Sequence, residues 1–335
     1  MPQAKGLLRV QGTLDVTQFW PGGESDADTI KVVVSKIEFS PDRTAHLPFA
    51  VVHVFDNAFV KGAQGPPKAP ISKGKLTIRL QGVDATELHF AATLPKKGLV
   101  HNGTRYRQHL GESATIKLHD FISSTSKKNP VSCEVVTFVD HPNDVFDTYG
   151  RMVGDVLVNS GSAQVNLNQW LAENGWAFPT FYNSMSGTEI KTLAGFAATA
   201  RKAKQGVWQH LSNDAAHPDT SLEFRTPGTK PKPQKDSGDT IMPKLFRRQI
   251  RYFVSELNQL FTGSVADFLL KQKDPWVKTA DFLKNPNLKP TTKTGNLGIL
   301  LDKKGQFTVA PGDIVFFEKP STLVDAKGNK ITTWN

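Results

Sequence analysis

The sequence is short of the residues and segments on which several classes of protein depend. It holds one cysteine, Cys133, in 335 residues, which excludes an internal disulfide framework and a cysteine-rich zinc site. No run approaches the roughly 18 consecutive apolar residues of a membrane-spanning helix. The nine histidines form no paired metal motif, and no glycine-rich loop has the spacing of a nucleotide-cofactor site. We interpret Cys133, inside a strand-like run, as a small buried apolar residue.

The amino-terminal segment 1–16 also lacks an uninterrupted apolar run. Its sequence, MPQAKGLLRVQGTLDV, alternates in character and carries Lys5 and Arg9. This pattern is not typical of a secretory signal peptide. We therefore expect a cytoplasmic protein, and export by a signal-independent route or the loss of a removed signal stays open.

Positive charge is in excess over negative charge. The chain has 41 Lys and Arg against 31 Asp and Glu, a net charge of +10. Such an excess favours a polyanionic partner, either nucleic acid or an anionic membrane face, although a basic protein without such a partner is the alternative. With 38% hydrophobic residues the chain is long enough for packed cores in about two domains.

The first two hundred residues combine short strand patterns with helical ones. Runs rich in Val, Ile, Thr and Phe predict strands at 7–19, 29–39, 48–55, 75–83, 131–140 and 151–158. Helical spacing predicts helices at 112–122, 166–174 and 187–204, the last of them ended by Gly206. Several short strands with a few separate helices indicate an α+β, mainly β fold, in which helices pack on a small barrel.

The composition changes over residues 211–241. The stretch RTPGTKPKPQKDSGD alternates proline and lysine without apolar periodicity, which is typical of an extended linker. The next stretch, MPKLFRRQIRYFVSELNQLF, has the spacing of an amphipathic helix, with Arg247, Arg248 and Arg251 on the side away from the apolar face. These arginines are either a solvated helix face or contacts for the phosphates of nucleic acid.

The remaining residues predict mixed structure. More helix is expected within 264–284, followed by short strands at 297–302, 306–309, 313–317 and 330–334. We therefore divide the chain into a first domain over 1–210, a Pro/Lys-rich linker over 211–241 and a small α+β region over 242–335. The last region resembles no fold that we recognise, and it either stands alone or packs on the first domain.

Residues 78–87, IRLQGVDATE, place Arg79, Asp84 and Glu87 at the end of an apolar run. A solvated strand end followed by a polar turn would account for this stretch by itself. Strict strand alternation puts Arg79 and Asp84 on opposite faces, so a bend has to intervene if both serve one site. Gly82 is the residue that tolerates the backbone of such a bend.

Two other strand starts carry matching groups. Asp26 and Asp28 precede one strand in SDADTIKVVV, and Asp147, Tyr149 and Arg151 precede another in DTYGRMVGDVLV. Charged residues at several strand ends can meet at one rim of a barrel. Acidic residues and arginines at such a rim suit the hydrolysis of a phosphodiester, because the reaction needs both a cation site and groups that bind the phosphate.

Each residue type has a role in that chemistry. Asp28 and Asp84 offer carboxylate oxygens to a hard cation. Glu87 can orient or deprotonate an attacking water. Arg79 and Arg151 can grip phosphate oxygens through paired N–H groups, which a lysine cannot do.

Six blocks in order, DADT, IRLQGVDATE, GESA, DTYGR, VNLNQWLAENGWA and ARKAKQGVW, closely resemble the thermonuclease (micrococcal-nuclease-like) family. The resemblance covers roughly residues 10–208 with two insertions. It implies a five-stranded OB-fold barrel with packed helices. It also implies a Ca²⁺-dependent nuclease that acts on DNA and RNA, for which Mg²⁺ and Mn²⁺ are alternative cations.

The resemblance also implies the ligands of the cation. Asp28 and Asp84 match the calcium carboxylates, and the carbonyl of Ala85 matches a third ligand. The family usually has glycine where this chain has Ala27. If that position needs a positive φ, alanine would cost of order 1 kcal/mol there.

The other implied roles concern the reaction and the substrate. Glu87 matches the residue that activates water, and Arg79 and Arg151 match the pair that binds phosphate and stabilises the transition state. Tyr149 matches a tyrosine of the nucleotide pocket, and Tyr182 a residue that stacks on a base.

Two further functions stay open. One is an OB-fold module that binds nucleic acid without catalysis, and the other is an interaction scaffold whose basic tail docks on a partner or an anionic surface. The joint presence of Arg79, Glu87 and Arg151 favours a nuclease, because a binding module would not need them. Every implied catalytic residue precedes Gln209, so a chain that ends there is expected to fold and to cleave. No protein partner is indicated.

Overall fold

The computed structural model of the chain describes residues 5–41, 48–62, 66–94, 98–226, 237–318 and 321–334. Residues 227–236 of the Pro/Lys-rich linker lie outside the described residues. No helix in these ranges is both long enough and apolar enough to cross a membrane.

The described part of the chain contains seventeen strands and seven α-helices. The strands are β1 (Gly6–Leu14), β2 (Thr29–Ser40), β3 (Phe49–Ala50), β4 (Ala58–Lys61), β5 (Ile71–Ser72), β6 (Lys75–Leu80), β7 (Val83–Ala85), β8 (Phe90–Ala91), β9 (Arg105–Tyr106), β10 (Val131–Val139), β11 (Met152–Ser160), β12 (Ala163–Asn166), β13 (Ala177–Pro179), β14 (Phe181–Tyr182), β15 (Trp276–Lys278), β16 (Ile314–Phe316) and β17 (Thr322–Asp325). The helices are α1 (Val52–Asp56), α2 (Gly111–Thr125), α3 (Leu167–Glu173), α4 (Gly187–Lys202), α5 (Pro243–Leu257), α6 (Val265–Leu270) and α7 (Thr279–Lys284).

Five strands pair in a closed cycle. β1 lies antiparallel between β2 and β10, β2 continues to β6, and β10 continues to β11. β6 and β11 then lie parallel, with Met152 opposite Ile78, and this pairing completes the cycle. β3, β5 and β12 extend the same sheet. The chain is therefore α+β and mainly β, as the strand patterns predict.

The cycle forms because its strands alternate. In β1, Leu8 and Val10 are buried while Arg9 between them is exposed. In β10, Val131, Cys133 and Val135 are buried on one side. A period of two places every second side chain in the same core. The interpretation of Cys133 as a small buried residue is confirmed.

The three predicted helices of the first part are confirmed as α2, α3 and α4. The N-cap of helix α3 is Asn166, whose side chain accepts hydrogen bonds from the backbone N–H groups of Asn168 and Gln169. Helix α4 begins with a capping box, in which Ser186 and Glu189 each bond the backbone of the other. These side chains satisfy N–H groups that have no partner within the helix.

Asn168 connects β11 to the turn that follows β6. Its buried Oδ1 accepts a hydrogen bond from Val156 N (3.2 Å), and its Nδ2 donates to the carbonyls of Gln81 (2.9 Å) and Gly154 (3.2 Å). Asn168→Ala is expected to lower the free energy of unfolding by about 2–4 kcal/mol, because buried backbone groups lose their partner. Urea unfolding measures this. The exposed Asn159→Ala is the matched control, expected within about 0.5 kcal/mol of the parent, and an equal loss in both variants would contradict the assignment.

The carboxy-terminal region packs directly on the earlier strands. β16 lies parallel to β14, and β17 lies antiparallel to β4. The ring of Trp334 stacks on Phe39 with centroids 4.4 Å apart. Val315 and Leu323 belong to the same buried cluster as the strands of the cycle. The division at residues 210 and 242 stays a prediction, and this packing favours an extension of the first part over a separate unit.

Several predicted elements are wrong in the less regular segments. The strand predicted at 48–55 is replaced by the two-residue β3 and by α1. The strands predicted at 297–302 and 306–309 are a 3-10 turn and isolated bridges. The segment 330–334 contains no regular strand, whereas 313–317 matches β16. Short apolar runs do not distinguish a strand from a buried turn, because the outcome depends on which strand edge lies nearby.

Candidate active site

Arg79, Asp28 and Asp84 form the buried centre of the candidate site. Nη1 of Arg79 lies 3.0 Å from Oδ2 of Asp28, and its Nη2 lies 2.7 Å from Oδ1 of Asp84. The side chain of Asp84 is only 1% exposed. Burial alone would lower the pKa of Arg79, but the two carboxylates outweigh burial and raise it above its ordinary value. The arginine is therefore a permanent cation between the two predicted metal carboxylates.

The chain bends between Arg79 and Asp84, as their spacing requires. β6 ends at Leu80, and β7 begins at Val83 after a turn in which Gly82 has φ +75°. A glycine adopts this left-handed conformation without steric cost. A β-carbon there would also approach the side chain of Leu193 to 2.3 Å. The turn returns Asp84 to the guanidinium of Arg79, so both serve one site.

Ala85 and Ala27 complete the surroundings of Asp28. The backbone N–H of Ala85 donates to Oδ2 of Asp28 over 2.9 Å, which brings β7 against the start of β2. Ala27 is buried and has no positive φ. Alanine in place of the glycine usual in the family therefore introduces no left-handed strain at this position.

Glu87 follows β7 and is fixed through its backbone. Its N–H donates to Oε1 of Gln108 (3.0 Å), and its carbonyl accepts from the N–H of Gln108 (2.8 Å). Burial raises the pKa of Glu87 to about 8, against the opposing charge of Arg247 and with the carboxylates of Asp26 and Asp84 adding to the rise. A carboxylate of raised pKa suits the acceptance of a proton from water.

Arg151 stands at the rim of the site. Its Nε donates to Oδ2 of Asp147 (2.7 Å), and its Nη1 donates to Oγ1 of Thr29 (3.1 Å). The Thr29 hydroxyl donates in turn to Oδ1 of Asp28 (3.1 Å), which connects the rim to the centre. The guanidinium carbon lies 5.3 Å from the centroid of the Tyr149 ring, which is 54% exposed. Arg151 and Tyr149 thus share one accessible edge.

Tyr182 lies where the two parts of the chain meet. Its ring is half-buried, with its centroid 6.1 Å from that of Phe316 and 5.7 Å from Nζ of Lys244. Burial raises the pKa of Tyr182 well above its ordinary value, and the negative charges of Glu318 and Asp84 add to this. Carboxy-terminal residues thus pack on the ring. The predicted contact of Tyr182 with a base stays a prediction.

Arg247 is the residue of the site that the sequence pattern does not reveal. The amphipathic spacing correctly predicts α5, but it places this side chain away from the core with Arg248. Instead, Arg247 forms close ion pairs with Glu87 and with Asp84, the latter over 3.3 Å. Arg248 pairs with Asp274. The contact with Glu87 joins positions 160 residues apart, so no local pattern could have indicated it.

The donor groups fit a hard divalent cation in kind. Asp28 and Asp84 offer carboxylate oxygens and Ala85 offers a carbonyl, which are the ligands that Ca²⁺ and Mg²⁺ prefer. However, no group of three or more His, Cys, Asp or Glu side chains within the described ranges is arranged as a metal-binding set. Arg247 is a positive group on the same carboxylate of Asp84, where it would compete with a cation.

Comparison with known proteins relates part of the chain to a family of nucleases. Residues 77–210 match the family model described as Staphylococcal nuclease homologue (SNase). Endonuclease YhcR of Bacillus subtilis (strain 168) is 29% identical over 143 residues, which are 42% of this chain and 10% of YhcR. The similarity thus spans a tenth of that relative. Arg79 and Glu87 fall inside the matched residues, whereas Asp28 and Arg247 fall outside them. The chain therefore contains a domain of the staphylococcal nuclease homologue family over residues 77–210.

Proposed function

We propose that the protein is a metal-dependent nuclease that hydrolyses phosphodiester bonds in both DNA and RNA. The observation that carries the proposal is the pairing of Arg79 with Asp28 and Asp84 at one end of the closed cycle of strands, where Glu87 is joined to Asp84 through Arg247. The family of the domain and the distant endonuclease relative support a nuclease in general. The net charge of +10 suits a polyanionic substrate.

The two arginines hold the substrate phosphate in this proposal. Arg151 is 26% exposed and already oriented by Asp147, so it can bind a phosphate oxygen at the rim. Arg79 lies deeper, where little water screens its charge, and it stabilises the negative charge that builds on the phosphate oxygens. Tyr149, beside Arg151, contacts the nucleotide through its exposed ring.

Glu87 is the group that handles the proton. It accepts the proton of the attacking water at its carboxylate, and burial supports this role by raising its pKa. The backbone bonds with Gln108 hold the main chain of Glu87, and the ion pair with Arg247 orients its carboxylate. The same residue would be unnecessary in a module that only binds nucleic acid.

The carboxylates of Asp28 and Asp84 and the carbonyl of Ala85 would hold the cation. We propose Ca²⁺, with Mg²⁺ and Mn²⁺ as substitutes, because the ligand set is oxygen only. When bound, the cation supplies positive charge to the phosphate and to the attacking water. Arg79 keeps the two carboxylates close to each other without it.

Metal removal is expected to abolish cleavage. After the cation has been stripped, degradation of plasmid DNA and of RNA should stop in EGTA and return when Ca²⁺ is added in excess, because the phosphate and the attacking water lose the positive charge that the cation would supply. Gel analysis of both polymers at a fixed salt concentration measures this.

The same assay distinguishes the alternatives. Full cleavage in EGTA after stripping would exclude the metal assignment, and activity with Mg²⁺ alone would change the preferred ion but not the ligands. A module that only binds nucleic acid would retard the same substrates in a gel and cleave neither with any of the three cations.

A further inference from the structure

The carboxy-terminal helix α5 adds an arginine to the acidic centre of the candidate site. Arg247 contacts Oε1 of Glu87 and lies 3.3 Å from Oδ2 and 3.5 Å from Oδ1 of Asp84. Its side chain is 25% exposed, whereas that of Asp84 is 1% exposed. One cation from outside the family domain therefore bridges a proposed metal ligand and the proposed proton acceptor.

The charges in the centre explain why this position matters. With Glu87 ionised, Asp28, Asp84 and Glu87 meet Arg79 and Arg247, which leaves one net negative charge. Without Arg247 two negative charges would remain, and one divalent cation balances two. Charges this buried interact strongly, because little water lies between them. A divalent cation and Arg247 therefore compete for the same carboxylate oxygens.

The backbone of α5 is held in place, so the competition depends on the Arg247 side chain. The neighbouring Arg248 pairs with Asp274 through two bonds of 2.6 and 2.8 Å. The buried Gln249 donates to the carbonyl of Asp214 over 3.0 Å. With the two residues that follow Arg247 anchored, the guanidinium leaves Asp84 by a change of its own rotamers, which a long arginine side chain permits.

We propose that Arg247 is a residue that sets the cation affinity of the site. It occupies the carboxylates of Asp84 and Glu87 when no divalent cation is present, and it leaves Asp84 when one binds. This inference rests on the proposed metal-dependent function. It assigns a role in the site to a residue that lies outside the match to the family, and it makes the carboxy-terminal region part of the metal chemistry.

Calcium binding by the full chain tests the proposal. The variants are Arg247→Gln, Arg247→Lys and, as matched control, Arg251→Gln. Arg251 lies one turn further along α5 and forms no ion pair within the described residues. Isothermal titration with Ca²⁺ alone should give a Kd for Arg247→Gln that is about tenfold or more below that of the parent, because one competing unit charge is removed. The Kd of Arg247→Lys should lie between those of Arg247→Gln and the parent. The Kd of Arg251→Gln should stay within about twofold of that of the parent.

The thermal midpoint supplies a second measurement that does not depend on activity. Without metal, Arg247→Gln should have a lower thermal midpoint than the parent, because Asp84 loses a buried partner. On addition of Ca²⁺ its thermal midpoint should rise by more than that of the parent. Equal or weaker Ca²⁺ binding by Arg247→Gln would overturn the proposal while leaving an EGTA-sensitive nuclease intact. Absence of Ca²⁺ binding in all variants and the parent would also overturn it, and the EGTA assay would then decide the nuclease function separately.

Discussion

Replacing Glu87 by glutamine is expected to lower kcat by about 10²–10³-fold, because a general base contributes of that order to proton transfer. Glutamine keeps the size of the side chain but cannot accept the proton of the attacking water. The backbone bonds to Gln108 do not involve the side chain and should persist. Binding of substrate in EGTA should therefore stay within about threefold of the parent. Single-turnover cleavage and a gel-based Kd measure the two effects.

Arg151→Ala and Arg79→Lys are the comparison variants. Arg79→Lys keeps a positive charge but loses the forked guanidinium that spans Asp28 and Asp84. It should therefore cleave far more slowly than the parent. Arg79→Ala is less informative, because two buried carboxylates would lose their partner and stability would fall by about 3–5 kcal/mol. If Glu87→Gln and Arg151→Ala both cleave within about tenfold of the parent, the buried charges after β6 serve only the fold and the nuclease proposal fails.

The sequence predicts the elements whose pattern is local. β1, β10 and β11 alternate over most of their nine residues, which is enough for the period of two to be recognised. Helices α2 and α4 have 15 and 16 residues, which is long enough for helical spacing to be recognised. Helices α3 and α4 also carry N-terminal caps, such as Ser186 with Glu189 in α4. The bend at Gly82 is also foreseeable, because it follows from the required convergence of Arg79 and Asp84. In each case the information lies within about fifteen residues.

What the sequence does not reveal depends on contacts between distant segments. The short strand β17 forms because the edge of β4 lies next to it. A pattern of only four residues is too short to predict this pairing. Arg247 has the position of a solvated residue on an amphipathic helix, yet the acids of residues 84–87 turn it inward. A buried ion pair of this kind satisfies charges on two segments at once, so neither segment alone contains the signal.

Removal of residues 210–335 is expected to abolish folding of the remainder. The Pro/Lys-rich composition of the linker predicts the opposite, a self-sufficient first domain, but the packing argues against it. Val315, Leu323 and Trp334 are buried in the same cluster as the closed cycle of strands, and their loss would expose the apolar surface beneath them. Removing one buried large side chain costs about 2–5 kcal/mol, and a whole domain is stabilised by about 5–15 kcal/mol. The shortened chain should be insoluble or should melt without a cooperative transition, as solubility, circular dichroism and thermal unfolding would report.

Co-expression of the two fragments is the control. It distinguishes a fragment that fails to fold because it lacks core residues from one that fails because the chain was cut at an unsuitable position. If residues 210–335 supply core and strand partners, the second fragment should restore a soluble complex, because β14 and β4 recover their neighbours β16 and β17. The restored complex should also regain cleavage, since Arg247 and the acids that it contacts would be together again. Trp334→Ala in the full chain probes one contact of this interface and should cost about 3–5 kcal/mol through the lost stacking on Phe39. A fragment 1–209 that is soluble, melts cooperatively and cleaves without its partner would show that the packed carboxy-terminal region is dispensable, and that the sequence composition had divided the chain correctly.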